Sequence, residues 1–372
     1  MRRTSVSATW CEAAVSDRIL IGHGSGGRLY RDLVHDIFLA RFSNPELDRL
    51  EDAAELRLGG RFADGAAGRS GGDAGGAAGS SRPRLAFTTD SHVVRPLRYP
   101  GGDIGRLAVA GTVNDLATAA ARPLALAAAF IIEEGLPLAE LEWFTDSMAA
   151  TAREAGVDIV TGDTKVVERG LADGLYITTT GVGEVVVEHE VSARAARCGD
   201  VLLLSGSVGD HSAAVLAARG EFSLQVDVRS DCAPLWSLTE AVLSVGGGAV
   251  RFLRDATRGG LTTVLCELAE SSDLGVAVEE EAIPVTPPVR AVCELLGYDP
   301  LTLANEGKMV LAVGPERADE VLAALRAHPL GRQAARIGEL VTDHPRRVAL
   351  RTAFGTRRVL DMPVGELLPR IC

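Results

Sequence analysis

The chain has 372 residues, 47% of them hydrophobic and 24% charged, with a formal net charge of −12. Such a chain can bury a sizeable core spread over two to three domains. The acidic balance excludes a general nucleic-acid binder, which needs surplus Lys and Arg to neutralise phosphates, and the longest apolar run, Pro123 to Ile132, is about half a membrane-spanning helix.

Residues 1–17 read as a loose extension, because Arg2-Arg3 is followed by no apolar core of the kind an export signal carries. A first domain is expected over 18–192. It opens on Gly22-His23-Gly24-Ser25-Gly26-Gly27, which matches G-x-G-x-x-G. A dinucleotide fingerprint would need a solid strand before it and an acidic residue closing a second strand about twenty residues on. Only Arg18 to Ile21 precedes it here, and Asn44 to Asp48 is turn-like. No Gly-Lys-Ser/Thr follows, which removes the Walker A reading. Two readings stand: a loop whose N–H groups fold over phosphates and lead into a helix, or a plain Gly-rich turn. Residues 59–84 are mostly Gly, Ala, Ser, Arg and Asp, and are expected to form a disordered insertion.

Leu85 to Val94 then reads as a strand, and Asp103 as the N-cap of a small-residue helix through Ala121. Leu124 to Ile132 is a buried strand by its continuous apolar character. Leu138, Leu141, Phe144, Met148 and Ala152 recur at helical spacing. Val157 to Val160 is a short strand, and Leu175 to Val187 a longer one rich in Thr and Val. Near residues 190–199 the pattern restarts, giving a second domain over 193–361. Its expected strands are 201–204, 250–253, 276–278 and 308–313, and its expected helices 236–245, 261–271, 289–296 and 317–328. Residues 362–372 form a tail, expected to be mobile, that ends on Cys372.

Carboxylates sit where strands end and helices begin: Asp90 in Thr88-Thr89-Asp90-Ser91, Asp115 beside Asn114, Asp163 in Thr161-Gly162-Asp163-Thr164-Lys165, and Asp255 ahead of Arg258-Gly259-Gly260. Mg²⁺ prefers oxygen ligands and keeps several waters, so a few carboxylates with nucleotide phosphates suit it. Asp115 stands out, since an acid amid Ala, Gly and Val is costly unless paired or metal-bound. Glu306 of Asn305-Glu306-Gly307-Lys308 is a candidate base or a solvated turn residue. The six cysteines, Cys11, Cys198, Cys232, Cys266, Cys293 and Cys372, show no C-x-x-C pair. This argues against a disulfide framework or a zinc site and for the cytoplasm. Cys372 alone sits on a Pro-interrupted tail that can reach both an internal pocket and an external donor. Its own carboxylate should raise the thiol pKa, with Arg370 opposing.

The segments GHGSGG, TTDS, PGGDIGRLAVAGTVNDLA, IVTGDTKVV, GDVLLLSG, DATRGG, NEGK and the terminal PRIC resemble the HypE family of hydrogenase maturation factors. The resemblance runs from about Ile19 to Cys372 in the family's order, leaving out the insertion. The terminal PRIC separates that family from its relatives, which include aminoimidazole ribonucleotide synthetase, selenophosphate synthetase and thiamine-monophosphate kinase. The resemblance implies an α+β, two-domain aminoimidazole ribonucleotide synthetase-like fold, with an N-terminal ATP-binding sheet domain that dimerises and a C-terminal α/β domain. It also implies ATP-dependent dehydration of a carbamoyl group on Cys372 to a thiocyanate, the source of the cyanide ligand of [NiFe] hydrogenase iron. A HypF-like carbamoyltransferase would load the thiol, and a HypC–HypD-like iron scaffold would receive the cyano group.

Carried over by motif, Mg²⁺ falls to Asp90, Asp115, Asp163 and Asp255. ATP contacts fall to Gly24, Gly26, Gly27, Asn114, Thr164 and Lys165, and catalysis to Cys372, Glu306, Lys165 and Arg258. The extension and the insertion depart from the family pattern without interrupting a motif. Two other readings remain. A kinase or synthetase of the same superfamily would not need Cys372, and a non-catalytic carbamoyl carrier would not need the carboxylates.

Overall fold

The computed structural model describes residues 23, 27–57, 84–220, 226–364, 368 and 370–372. The 1–17 extension, Gly24, Gly26 and all of the 59–84 insertion except Arg84 lie outside them. The described chain begins with the short helices α1 (Gly27–Leu33) and α2 (Ala40–Phe42). Strands β1 (Ala54–Arg57) and β2 (Arg84–His92) follow, then a small ribbon of β3 (Arg98–Tyr99) and β4 (Gly102–Asp103). The side chain of Asp103 accepts from the N–H groups of Gly105 and Arg106, capping α3 (Ile104–Thr118) as its residue type demands. After α3 come β5 (Ala121–Glu133), α4 (Leu138–Ala155), β6 (Asp158–Val167) and β7 (Leu175–Val185). These strands form one sheet in the order β1-β2-β7-β5-β6. Every neighbour is antiparallel except β5 and β6, whose parallel pairing requires the α4 crossover.

Helices α3 and α4 cover one face of this sheet and bury Leu126, Ala128 and Ile177. The opposite face is open, with Phe87 and Ile131 44% and 43% exposed. Strand β6 is exposed along nearly its whole length and forms the sheet edge. It is also much longer than the expected 157–160 strand: Thr161 to Lys165, read as following that strand, lie inside it.

The second half holds β8 (Val201–Leu204), α5 (Asp210–Arg219), α6 (Trp236–Gly246), β9 (Val250–Asp255), α7 (Gly260–Ser272) and β10 (Gly275–Glu279). It continues with α8 (Pro287–Leu296), β11 (Met309–Val313), α9 (Ala318–Ala327), β12 (Ala335–Val341), β13 (Val348–Arg351) and β14 (Arg357–Leu360). Its sheet runs β14-β13-β10-β12-β8-β11-β9. The central β8 and β11 are buried at every position, as strands covered on both faces must be. Alternation along β8 divides its side chains between two layers. Val201 and Leu203 join a core shared with α3 and α4 of the first half, while Leu202 and Leu204 pack with α7 on the far face. The two halves therefore share a continuous apolar core. Among the described residues no helix is long and apolar enough to cross a membrane.

Candidate active site

Carboxylates converge where the two sheets meet. In β2 the alternation turns Thr88, Asp90 and His92 toward α3 and leaves Thr89 and Ser91 outward. Gly111 of α3 gives them room: a Cβ there would stand 3.0 Å from the His92 ring and 3.2 Å from an Asp90 oxygen. One helical turn on, Asp115 accepts from the Thr88 hydroxyl at 2.7 Å. Burial pushes the Asp115 carboxyl well above the ordinary range, reinforced by the charges of Asp90, Asp255 and Asp52. Asp255 closes β9, and burial with the charge of Asp52 pushes it up to about 8. Asp52, in the loop before β1, is a member that sequence reading missed, since a lone acid in a loop carries no signal. Arg254 reaches it at 2.9 Å and holds Glu51 at 2.9 Å and Glu267 at 3.3 Å.

Glu306 lies beside this group, 3% exposed, with Oε1 unpaired. Burial pushes its carboxyl well above the usual range, and the charges of Asp255 and Asp90 add to that. The solvated-turn reading fails on this burial. The loop carrying Glu306 is fixed from two sides. Asp231 accepts from the N–H groups of Glu306 and Gly307, each at 3.2 Å, and Asn114 of α3 donates to the Glu306 carbonyl at 3.2 Å. Asn114 also donates to Ala233 O at 3.2 Å and accepts from Leu235 N at 2.8 Å. Its carboxamide is thus committed to backbone of the second half. In this structure Asn114 brackets the two halves and shapes the Glu306 loop.

The tail, expected to be mobile, is docked against this cluster. Val93 N donates to Cys372 O and Arg95 N to Arg370 O, both at 3.1 Å, so the last residues extend the line of β2 in an antiparallel sense. Ile371 is buried, and its carbonyl lies 2.7 Å from His211 Nε2. Arg258 Nη1 approaches Cys372 Sγ at 3.5 Å. Burial pushes the thiol up to about 11, with Arg258 opposing and Glu306 reinforcing. The opposing cation is therefore Arg258; Arg370, expected in that role, points elsewhere. A cavity of about 110 Å³ beside the sulfur is lined by Ser91, Ser212, Arg258 and Gly259. Gly27 sits near the base of the tail: its φ is 71°, and a Cβ would fall 2.4 Å from Pro363 O, so only glycine fits this approach.

Asp163, Thr164 and Lys165 are not part of this assembly within one chain. Asp163 pairs with Lys165 at 2.8 Å, and both side chains are more than 60% exposed. Register places Asp163 opposite Ala129, Ala129 opposite Thr178 and Thr178 opposite Ser91, all on the open face of the sheet. Three strand spacings, on the order of 14 Å, separate β6 from β2, and Asp90 faces the other way. Among the described residues no group of three or more His, Cys, Asp or Glu side chains is arranged to hold a metal unaided. Cys198 is exposed, Cys232, Cys266 and Cys293 are buried, and these and Cys372 are all free thiols.

Two mixed layers sharing a core, with acids gathered at their junction, define an AIR synthase-related protein. The N-terminal domain of that family matches residues 71–185 and its C-terminal domain residues 197–350. Over 357 residues the chain is 50% identical to the carbamoyl dehydratase HypE of Cupriavidus necator, covering 96% of this chain and 95% of that one. Its structure matches HypE in a crystalline HypE–HypF complex at a TM-score of 0.79 and 42% identity, covering 89% of this chain and 99% of the other. HypE crystallised with ATP matches at 0.75 and 45%, covering 95% and 100%. The chain belongs to the HypE family of carbamoyl dehydratases.

Proposed function

We propose that this protein dehydrates a carbamoyl group carried on Cys372 to a thiocyanate at the expense of ATP, in maturation of the [NiFe] hydrogenase centre. The observation that carries this reading is the docked terminal thiol, set between Arg258 and the buried acidic cluster with the unpaired oxygen of Glu306. The related HypE crystallised with ATP and the HypE–HypF complex support the co-substrate and a HypF-like donor.

The chemistry follows from the group being transformed. Amide-like resonance makes the carbamoyl oxygen its nucleophilic atom. That oxygen bonds to the γ-phosphorus as the bond to ADP breaks, and the C–O bond then breaks with phosphate as the leaving group. The nitrogen gives up both of its protons along the way, leaving S–C≡N. Arg258 holds the sulfur end and offsets charge growing on the oxygen. Glu306 is placed to take an N–H proton, and burial, by raising its pKa, makes its carboxylate a stronger base for that task. Docking the tail into a buried site keeps water away from the phosphoryl group.

Asp90, Asp115 and Asp255 fit Mg²⁺ by their chemistry: oxygen donors only, with Asp115 and Asp255 raised by burial and by the charge of neighbouring acids, Asp90 among them. Bound there, the ion would offset the repulsion between these acids and the nucleotide phosphates. A second copy of the chain covering the open sheet face and the β6 edge would form the homodimer and give Asp163, Thr164 and Lys165 a role across the interface, toward metal and nucleotide. A HypC–HypD-like iron scaffold is the acceptor of the cyano group, and the compartment is the cytoplasm.

Incubation with carbamoyl phosphate, a HypF-like carbamoyltransferase and ATP tests the reading by tail mass. The expected result is a carbamoyl adduct on Cys372 that loses one water when ATP is present, and no adduct on Cys372→Ala. An adduct that never loses water would instead favour the carrier reading.

A further inference from the structure

The contacts that dock the tail avoid the sulfur almost entirely. The Arg370 guanidinium pairs with Asp173, donates from Nε to Val93 O at 3.0 Å and lies 5.9 Å from the centre of the Tyr176 ring. The Arg370 carbonyl accepts from Arg95 N at 3.1 Å and from Arg219 Nη2 at 3.0 Å. Ile371 supplies the buried apolar anchor, and its carbonyl meets His211, whose other ring nitrogen is 2.8 Å from Ser230 Oγ. Arg370 adopts a left-handed φ of 52°, a conformation that a non-glycine residue keeps only when its surroundings hold it there. Against all this the thiol makes one polar contact among the described residues, to Arg258.

We propose that Asp173, in the loop between β6 and β7, is a positioning residue for the reaction: with Val93 O and Tyr176 it forms a guanidinium pocket that seats Arg370 and so places Cys372. Because every docking contact except that of Arg258 falls on groups unchanged by the chemistry, the pocket seats free, carbamoylated and cyanated tails alike. Asp173 is itself kept in place when the tail leaves. The same oxygen that binds Arg370 also pairs with Arg95 at 2.9 Å, so departure does not strand an unpaired acid. These two guanidiniums outweigh the effect of burial and hold the Asp173 carboxyl below the usual range, which keeps the pocket charged.

This inference rests on the dehydratase reading only for why the position of the sulfur matters. Its first test needs no nucleotide, partner or turnover, so the two can fail separately. The experiment is iodoacetamide alkylation of the full-length protein, reading Cys372 against exposed Cys198 in the same molecule. Asp173→Asn is expected to raise the Cys372-to-Cys198 rate ratio about tenfold, the effect of losing one charge-assisted pair, and Asp173→Glu to restore most of the protection. Arg370→Met should give the same rise, and the double variant no more than either single one, because the two residues act as one contact. Buried Cys232 and Cys293 should stay unreactive throughout, which separates undocking from unfolding. An unchanged ratio in Asp173→Asn with those thiols still protected, or fully additive effects in the double variant, would overturn the proposal. In the loaded protein, Asp173→Asn should slow ATP-dependent water loss while leaving carbamoyl loading intact; equal slowing of both steps would also overturn it.

Discussion

Two groups of acids that look alike in the sequence have opposite surroundings in the structure. Asp115 and Asp255 are shut between the two sheets, face other acids and are raised by burial and mutual repulsion. Asp163 stands in solvent on an edge strand, held below the usual range by its hydrogen bond from Lys165. The first group stores electrostatic stress that a cation can relieve. The second stores none and waits for something to cover it. A strand-end aspartate therefore defines no role until its neighbours on the same face of the sheet are known.

The largest effect should come from the buried group. Asp115→Asn is expected to lower ATP-dependent turnover at least a hundredfold, the scale seen when one preorganised charge is removed from an active site, and to weaken nucleotide affinity in Mg²⁺ buffer. It should also raise the metal-free melting temperature by a few degrees, since a repelled buried acid is removed. Calorimetry and thermal melts read both, and a destabilised variant with normal affinity would break the contrast.

Next in size is a pH effect. Asp255 has an ordinary pKa of 3.8 and sits at about 8 in the folded chain. Below the lower value it is protonated in both states. Between the two values the folded protein holds a proton that the unfolded chain has released, so its contribution to stability falls as pH rises through that window. Melts of metal-free protein from about pH 5 to about pH 9 should show this decline. Asp255→Asn, with no proton to lose, should flatten it.

The exposed group should respond only in pairs. Lys165→Met is expected to abolish dehydration on its own, yet mixing it with Cys372→Ala chains should restore turnover, as the proposed homodimer requires. A mixture as inactive as its parents would place Lys165 on its own chain's site. The smallest effect is on stability: Asp163→Asn should leave the melting temperature within error, because solvent screens an exposed pair.

Much of the fold was legible because burial patterns write it into the chain. The continuous apolar runs of β8 and β11, the helical spacing of α4 and the Asp103 cap all match the structure. Strand β6 was cut short because it has no buried face, so Thr161 to Lys165 were read as following the strand and not as part of it. Helix α5 was missed because its first seven residues are all buried, which leaves no polar stripe to mark a helical period there. At the site, Asp115 was conspicuous as an acid among small apolar residues. The bracketing role of Asn114 was not legible, because a sequence does not reveal which polar atoms the backbone already occupies. Asp52 and Asp173 are lone acids in loops, given meaning only by the chain that folds back onto them.

The antiparallel seating of the tail has one further consequence. Arg370 and Cys372 are two positions apart and meet Arg95 and Val93, also two apart, so the chain end is measured in units of the strand repeat. Adding or removing one residue between them would break this match, so that a tail seated at Arg370 could no longer present its sulfur at the same distance from Arg258. The tail thus acts as a ruler: what it delivers depends on how many residues lie between the Arg370 seat and the sulfur.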